Sequence, residues 1–160
     1  MDRIDRIIHN QEYMVAVEDI AIREKEREFC IHDRNHILAV ARIAWILNLE
    51  KQYSIEKEIV YAAALLHDCG RGIQYETGEA HEEAGAKKAG TILRDTGFSE
   101  SEAEEILHAI RFHRNKDEAM KRPLSEIIYL ADKASRECFW CEVRERCNRL
   151  PEKRTKKLEF

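Results

Sequence analysis

Apolar residues recur along this chain at helical spacing, and nowhere does a long run alternate as a half-buried strand would. The clearest stripe is His36, Val40, Ile43 and Leu47, at steps of four, three and four, preceded by Asp33, which is suited to cap a helix. Upstream, Ile4, Ile7, Ile8, Met14, Val15, Val17 and Ile22 lie among charges, which predicts one or two amphipathic helices ending near Cys30. A third helix is predicted from Ser54 through Ile59, Val60 and Ala63–Leu66 to His67 and Asp68, with Gly70 placed to end it. Arg71 to Gly78 reads as a loop. Helical spacing resumes from Glu79 to Thr96 and begins with His81, while Ser99 and Glu102 match a capping box that opens a helix to about His113. The last strong helix is predicted from Leu124 to about Arg136. The expected fold is all-α: one helical domain over residues 1–137, with a short Cys-containing segment, 138–160, packed on it or trailing from it.

Composition narrows this picture. With 160 residues, 44% of them hydrophobic and 36% charged, the chain is too apolar and too mixed in sign for disorder, and it is sized for one core. Six Gly and two Pro are too few to turn the many short strands of a sandwich or barrel. No apolar run nears the roughly 18 residues of a membrane span. The charge of −4 comes from 31 acids and 27 bases spread along the chain, so no nucleic-acid or membrane partner is expected. The basic run Lys153 to Lys157 reads as a solvated tail. The opening MDRIDRIIHN has neither the apolar core of a secretory signal nor the acid-poor make-up of a transit peptide, so cytoplasm is the expected compartment.

Candidate chemistry comes from polar residues on apolar stripes. His36 lies on one, His67 follows Ala63 and Ala64, His113 follows Ile106 and Ile110, and Asp132 follows Leu124 and Ile128 at steps of four. A carboxylate in such surroundings needs a cation or several donors, because its desolvation penalty is several kcal/mol. Neutral imidazoles and carboxylates are the ligands of divalent Fe, Mn, Co, Ni and Zn. Asp68 has two oxygens: it can share one metal with His36, His67 and Asp132, and reach a second held by His81 and His113. The ordinary reading for one histidine on a stripe is a hydrogen-bonded core residue; His81 can merely open a helix, His108 reads as solvent-facing, and His32 is at most a wall of the pocket beside the cap Asp33.

These residues carry a resemblance. Asn35-His36 to Arg42, Ala63 to Arg71 around His67-Asp68, His81 to Ala86, Ala109-Ile110 with His113, and Leu130 to Lys133 around Asp132 resemble, in order, the HD-domain superfamily of metal-dependent phosphohydrolases. The resemblance covers about residues 32 to 137. It implies that His36, His67, Asp68 and Asp132 bind one metal, that His81 and His113 serve a second, and that Asp68 is central to catalysis. It also implies hydrolysis of a phosphoester or phosphoanhydride in a small phosphorylated substrate, most simply a nucleotide, by a metal-activated water. Arg71 resembles the basic residue often found after the His-Asp pair, and Arg71 and Lys133 are the candidate substrate contacts, with Arg136 a further base nearby. Two rivals stand beside this: a di-iron oxygen-activating member of the same superfamily, and a non-catalytic nucleotide-binding module with a structural metal.

Five cysteines are an odd number, which favours thiols or metal ligands over a disulfide framework. Cys138, Cys141 and Cys147 are spaced for a structural zinc or an iron–sulfur cluster, with Cys30 as the candidate fourth ligand and ordinary packing beside Phe139 and Trp140 as the alternative. Cys69 reads as a small residue behind the site.

Overall fold

In a computed structural model that describes residues 1–160, the chain forms nine α-helices and two short 3-10 helices, with no strand. The long ones are α2 (Gln11–Arg23), α3 (Arg34–Glu50), α4 (Lys57–Leu66), α6 (His81–Thr96), α7 (Glu100–Phe112) and α9 (Pro123–Ala134). Shorter ones are α1 (Asp2–Ile8), α5 (Arg71–Thr77) and α8 (Lys116–Ala119). The expected all-α class is what the chain adopts.

Capping explains several starts. Asp33 accepts from the His36 amide at 2.9 Å and opens α3. Ser99 and Glu102 form the predicted capping box at α7, and Pro123 occupies the first turn of α9, where its missing N–H is harmless. α4 is the central packing element, lying against α3, α7 and α9. Its run Ala62, Ala63 and Ala64 is fully buried, and these small side chains let neighbouring helix axes come close. Val40, Ala41 and Ala44 of α3, Ile106 and Ile110 of α7, and Ile127 and Ile128 of α9 complete a continuous core with it.

Three expectations are corrected. Arg71–Thr77 is a helix and no loop; it ends at Gly78, whose φ of 80° is the left-handed conformation that closes a helix at little strain in glycine. The signal was weak because α5 is a single short polar segment that buries only Gly72, and it is held by packing on α2 and α6. Ser54 caps nothing: its φ is 56°, and α4 starts at Lys57. The first helical stretch breaks at His9 and ends at Arg23, so residues 24–33 form an irregular connection in which Cys30 has a φ of 39°.

Beyond α9 the chain changes character. From 138 to 160 it makes turns and the 3-10 helices Arg144–Arg146 and Pro151–Lys153, and Cys138 alone is buried. Polar bonds hold it: the Cys138 amide donates to Thr155 Oγ1 at 3.0 Å, the Thr155 hydroxyl donates to the Arg136 carbonyl, and the Arg154 guanidinium donates to the carbonyls of Arg149 (2.8 Å) and Cys147 (2.9 Å). No helix is long and apolar enough to cross a membrane.

Candidate metal centre

Each of the six His and Asp candidates sits near the end of a helix. His36 is in the first turn of α3, His67 and Asp68 form the turn between α4 and α5, His81 opens α6, His113 follows the last residue of α7, and Asp132 lies in the last turn of α9. All six are buried. Gly70 makes the meeting possible, in a way different from the expected one. Its φ is −88°, so it is no left-handed stop. A Cβ there would stand 2.2 Å from the His81 carbonyl oxygen and 2.3 Å from the Gly85 amide nitrogen. Only glycine lets the start of α6 come this close to the His-Asp turn.

The six form two groups of three: His36, His67 and Asp132, and Asp68, His81 and His113, with the ligand atoms of each group within 4.8 Å of one another. Asp68 joins them. Its Oδ2 lies 3.2 Å from His67 Nε2 and 3.6 Å from His36 Nε2, while its Oδ1 lies 3.3 Å from His81 Nε2 and 3.7 Å from His113 Nε2. Asp132 Oδ1 is 3.5 Å from His36 Nε2.

The outward hydrogen bonds dictate the chemistry of the inward atoms. Nδ1 of His67 donates to the Ala64 carbonyl at 2.7 Å, and Nδ1 of His113 to the Ile110 carbonyl at 2.6 Å. Nδ1 of His81 lies 2.9 Å from Gln74 Oε1, and that of His36 lies 3.2 Å from Ser135 Oγ, whose own proton goes to the Asp132 carbonyl. With Nδ1 protonated, each neutral ring turns an Nε2 lone pair inward, as metal-ligating histidines do. The Nε2 atoms of His81 and His113 then face each other at 3.1 Å, lone pair to lone pair. His67 Nε2 and both Asp68 oxygens are buried without an aligned hydrogen bond, although Oδ1 is in ion-pair contact with Arg71. Six converging acceptor groups served by donors only from the rim, Arg71, Lys133 and Arg136, are disfavoured unless a cation sits among them. The residues therefore fit divalent metal ions.

Basic groups ring the cluster. Burial alone would raise the Asp132 carboxyl, but Lys133, followed by His67, drives it far below the usual carboxylate range. Burial would likewise raise Asp68, and the neighbouring imidazoles, His67 first, hold it well below. Burial disfavours a charged His67, yet Asp68 beside it raises that imidazole's pKa, another sign that the pocket calls for positive charge. His113, fully enclosed, is lowered to about 3 by burial. Arg71 Nε lies 2.9 Å from Asp68 Oδ1, and the Arg136 guanidinium lies 3.5 Å from Asp132 Oδ1 and 3.3 Å from His36 Nε2. Of the two candidate substrate contacts, Arg71 lines the cavity beside the cluster, whereas Lys133 Nζ is taken up by Asp132 and, at 3.1 Å, by the His113 carbonyl.

The structure also shows residues that sequence reasoning passed over. Glu24 is 1% exposed, and accepts from the His32 amide at 2.6 Å, the His32 ring at 2.8 Å and the Tyr75 hydroxyl at 2.6 Å. Burial opposes its charge, but these donors, the His32 ring first, take its pKa down to about 2. His32 is itself buried, which lowers it to about 4, and its ring meets that of His36 edge-on with centroids 5.4 Å apart. The pair buttresses the first turn of α3. His108 is half-buried and bonded to Ser125 Oγ at 2.7 Å, in place of facing solvent. The four thiols considered for a second metal do not form a ligand group: among His, Cys, Asp and Glu side chains, only the two triads above close to within 4.8 Å. Cys138 is buried, Cys141 exposed, and Cys30 and Cys147 half-buried. Cys30 and Cys147 do line one cavity, so the irregular connection before α3 and the C-terminal segment meet. Cys69 is buried behind the site, its thiol pushed up to about 12 by burial, with Sγ 3.5 Å from the Gly85 carbonyl.

Comparison with known proteins agrees with this centre. The HD domain family matches the chain over residues 34–137, a span that contains all six ligand candidates. A protein of Clostridium beijerinckii described as an uncharacterized protein is 38% identical over 160 residues, covering 100% of both chains. The crystal structure of a predicted HD superfamily hydrolase from an uncultured Thermotogales bacterium is similar with a TM-score of 0.63 and 26% identity, covering 86% of this chain and 82% of that one. The chain belongs to the HD-domain family. Its fold, its family and its His/Asp cluster are those of a metal-dependent hydrolase in general.

Proposed function

We propose that the protein is a metal-dependent phosphohydrolase that cleaves a phosphoester or phosphoanhydride of a nucleotide. The observation that carries this reading is Asp68: a buried carboxylate without an aligned hydrogen bond, touched by Arg71 on one oxygen, whose two oxygens turn to two different sets of imidazoles. His36, His67, Asp68 and Asp132 hold one ion in this reading, and His81 and His113 complete a second site with Asp68. Divalent ions bound there supply Lewis acidity toward phosphoryl oxygens and make water acidic enough to serve as a nucleophile near neutral pH. The chain's own part is to fix the ligands through the outward bonds of Nδ1, to balance charge through Lys133, and to present Arg71 and Arg136 to the phosphate. A guanidinium is suited to that task because its planar donors match phosphate oxygens in pairs.

The test is elemental analysis of anaerobically purified protein followed by hydrolysis of a nucleotide panel with added manganese and no oxygen. Two ions per chain and phosphate release are expected, and Asp68→Ala should lose both. Full metal occupancy and turnover in Asp68→Ala would overturn the assignment, and oxygen-dependent turnover alone would point to the di-iron chemistry of other members.

A further inference from the structure

Five arginines line one cavity of about 530 Å³ beside the cluster: Arg27, Arg71, Arg114, Arg136 and Arg149, with His32 and His81 in the same wall and no Asp or Glu in it. They come from five places in the chain. Arg27 precedes the family's span of 34–137 and Arg149 follows it, on the C-terminal segment. Two of them face the cluster carboxylates, Arg71 toward Asp68 and Arg136 toward Asp132. Of the other three, two pair with carboxylates outside the cluster and Arg149 with none. Arg114 is 55% exposed with one ion pair at 3.6 Å, to Glu82. Arg27 is tied to Glu24 and to the Phe29 carbonyl. Arg149 offers only backbone atoms, its amide to Cys147 Sγ and its carbonyl to Arg154.

Four of these guanidiniums each face one carboxylate behind the wall and Arg149 faces none, so the lining itself presents only positive charge to the cavity, which favours an anion shared among the five. One orthophosphate has too few oxygens to engage five forks as pairs. Two arginines at the cluster suit one phosphate at the reacting position; three more suit the rest of a phosphate chain. We propose that the cavity takes a substrate with two or more linked phosphates, the terminal one at Arg71 and Arg136 and the others at Arg27, Arg114 and Arg149. The C-terminal segment is thereby a wall of the substrate site. This rests on the phosphohydrolase reading and narrows it from phosphorylated compounds in general to oligophosphates.

The experiment titrates metal-replete protein with orthophosphate, pyrophosphate and tripolyphosphate by calorimetry, at two salt concentrations. Affinity is expected to rise at least tenfold from orthophosphate to tripolyphosphate, with the steeper salt dependence for the longer chain. In the Arg27→Gln/Arg149→Gln double variant most of that gain should vanish, while orthophosphate affinity stays within twofold and metal content and helical circular dichroism are unchanged. Arg149→Lys, which keeps the charge and loses the fork, should restore part of it. Equal affinities for the three anions, absence of tripolyphosphate binding, or a double variant that still prefers the longer chain would overturn the proposal. A failure of the phosphohydrolase reading shows elsewhere, in metal retention and turnover by Asp68→Ala, and leaves the dependence of binding on chain length as it was.

Discussion

Around the His/Asp cluster each ligand rides on, or directly beside, a helix whose other face is locked in the core, so that residues as far apart as His36 and Asp132 meet at 3.5 Å. Between Cys138 and Phe160 only Cys138 is buried, and the polar contacts that tie the segment to the rest are few: the Thr155 hydroxyl to the Arg136 carbonyl and an Arg146–Glu28 ion pair at 2.9 Å. Both regions carry a set of classical ligand types; one closes into a site and the other does not. The difference is the frame. Apolar burial on several helix faces over-determines the position of a side chain, and a handful of polar bonds at the surface does not.

The contrast can be attacked at its strongest point first. Gly70→Ala forces a Cβ into the His81 carbonyl and the Gly85 amide, which are backbone atoms that cannot step aside. The expected loss is about 3 kcal/mol or more, with reduced metal affinity, because α6 must retreat and carry His81 with it. Denaturant unfolding and metal analysis check this; a variant as stable as wild type would mean that the approach of α6 is not tight.

Next comes His113→Ala, expected to leave the chain folded with about one ion fewer while the His36, His67 and Asp132 group keeps its own. Elemental analysis with circular dichroism reads both. Loss of all metal would show that the two groups bind as a unit.

Glu24→Gln tests the buttress between the irregular connection and α3. It removes a buried charge that accepts from the His32 amide and ring, the Tyr75 hydroxyl and Arg27, and about 2 kcal/mol of stability should go with it. Because the folded-state pKa of Glu24 is lowered to about 2 from an ordinary 4.5, its contribution is fully present above pH 4.5 and is lost as the pH falls from there toward 2. Wild type and variant should therefore converge in stability in that window. Parallel stability profiles down to pH 2 would remove Glu24 from the account.

The smallest effect belongs to the C-terminal segment. Cys141→Ser, at an exposed thiol, should change stability by less than about 0.5 kcal/mol and leave the metal content unchanged. In native protein Cys141 should react first with a thiol reagent and Cys69 last, since burial pushes the latter thiol up to about 12. Metal loss in Cys141→Ser would restore a thiol site to this segment and erase the contrast.

By itself the sequence determined the long helices and the candidate ligand set. A stripe such as His36, Val40, Ile43 and Leu47 specifies a buried face through the 3.6-residue period, and a cap such as Asp33 or Ser99 marks where the helix starts; both are local, and local geometry is readable from neighbours in the chain. Only the tertiary structure decided the rest. α5 forms although its own pattern is weak, because α2 and α6 hold it; Gly70 matters for an approach of another helix and for no turn of its own; Glu24 finds His32 across an irregular connection. The five arginines line one cavity from positions 27 to 149, and Cys30 and Cys147 reach the same cavity without the four cysteines closing into a ligand group, for the same reason. Distances between residues remote in sequence depend on how whole helix faces pack and on what path the connections take, and neither quantity is written in any local window of the chain.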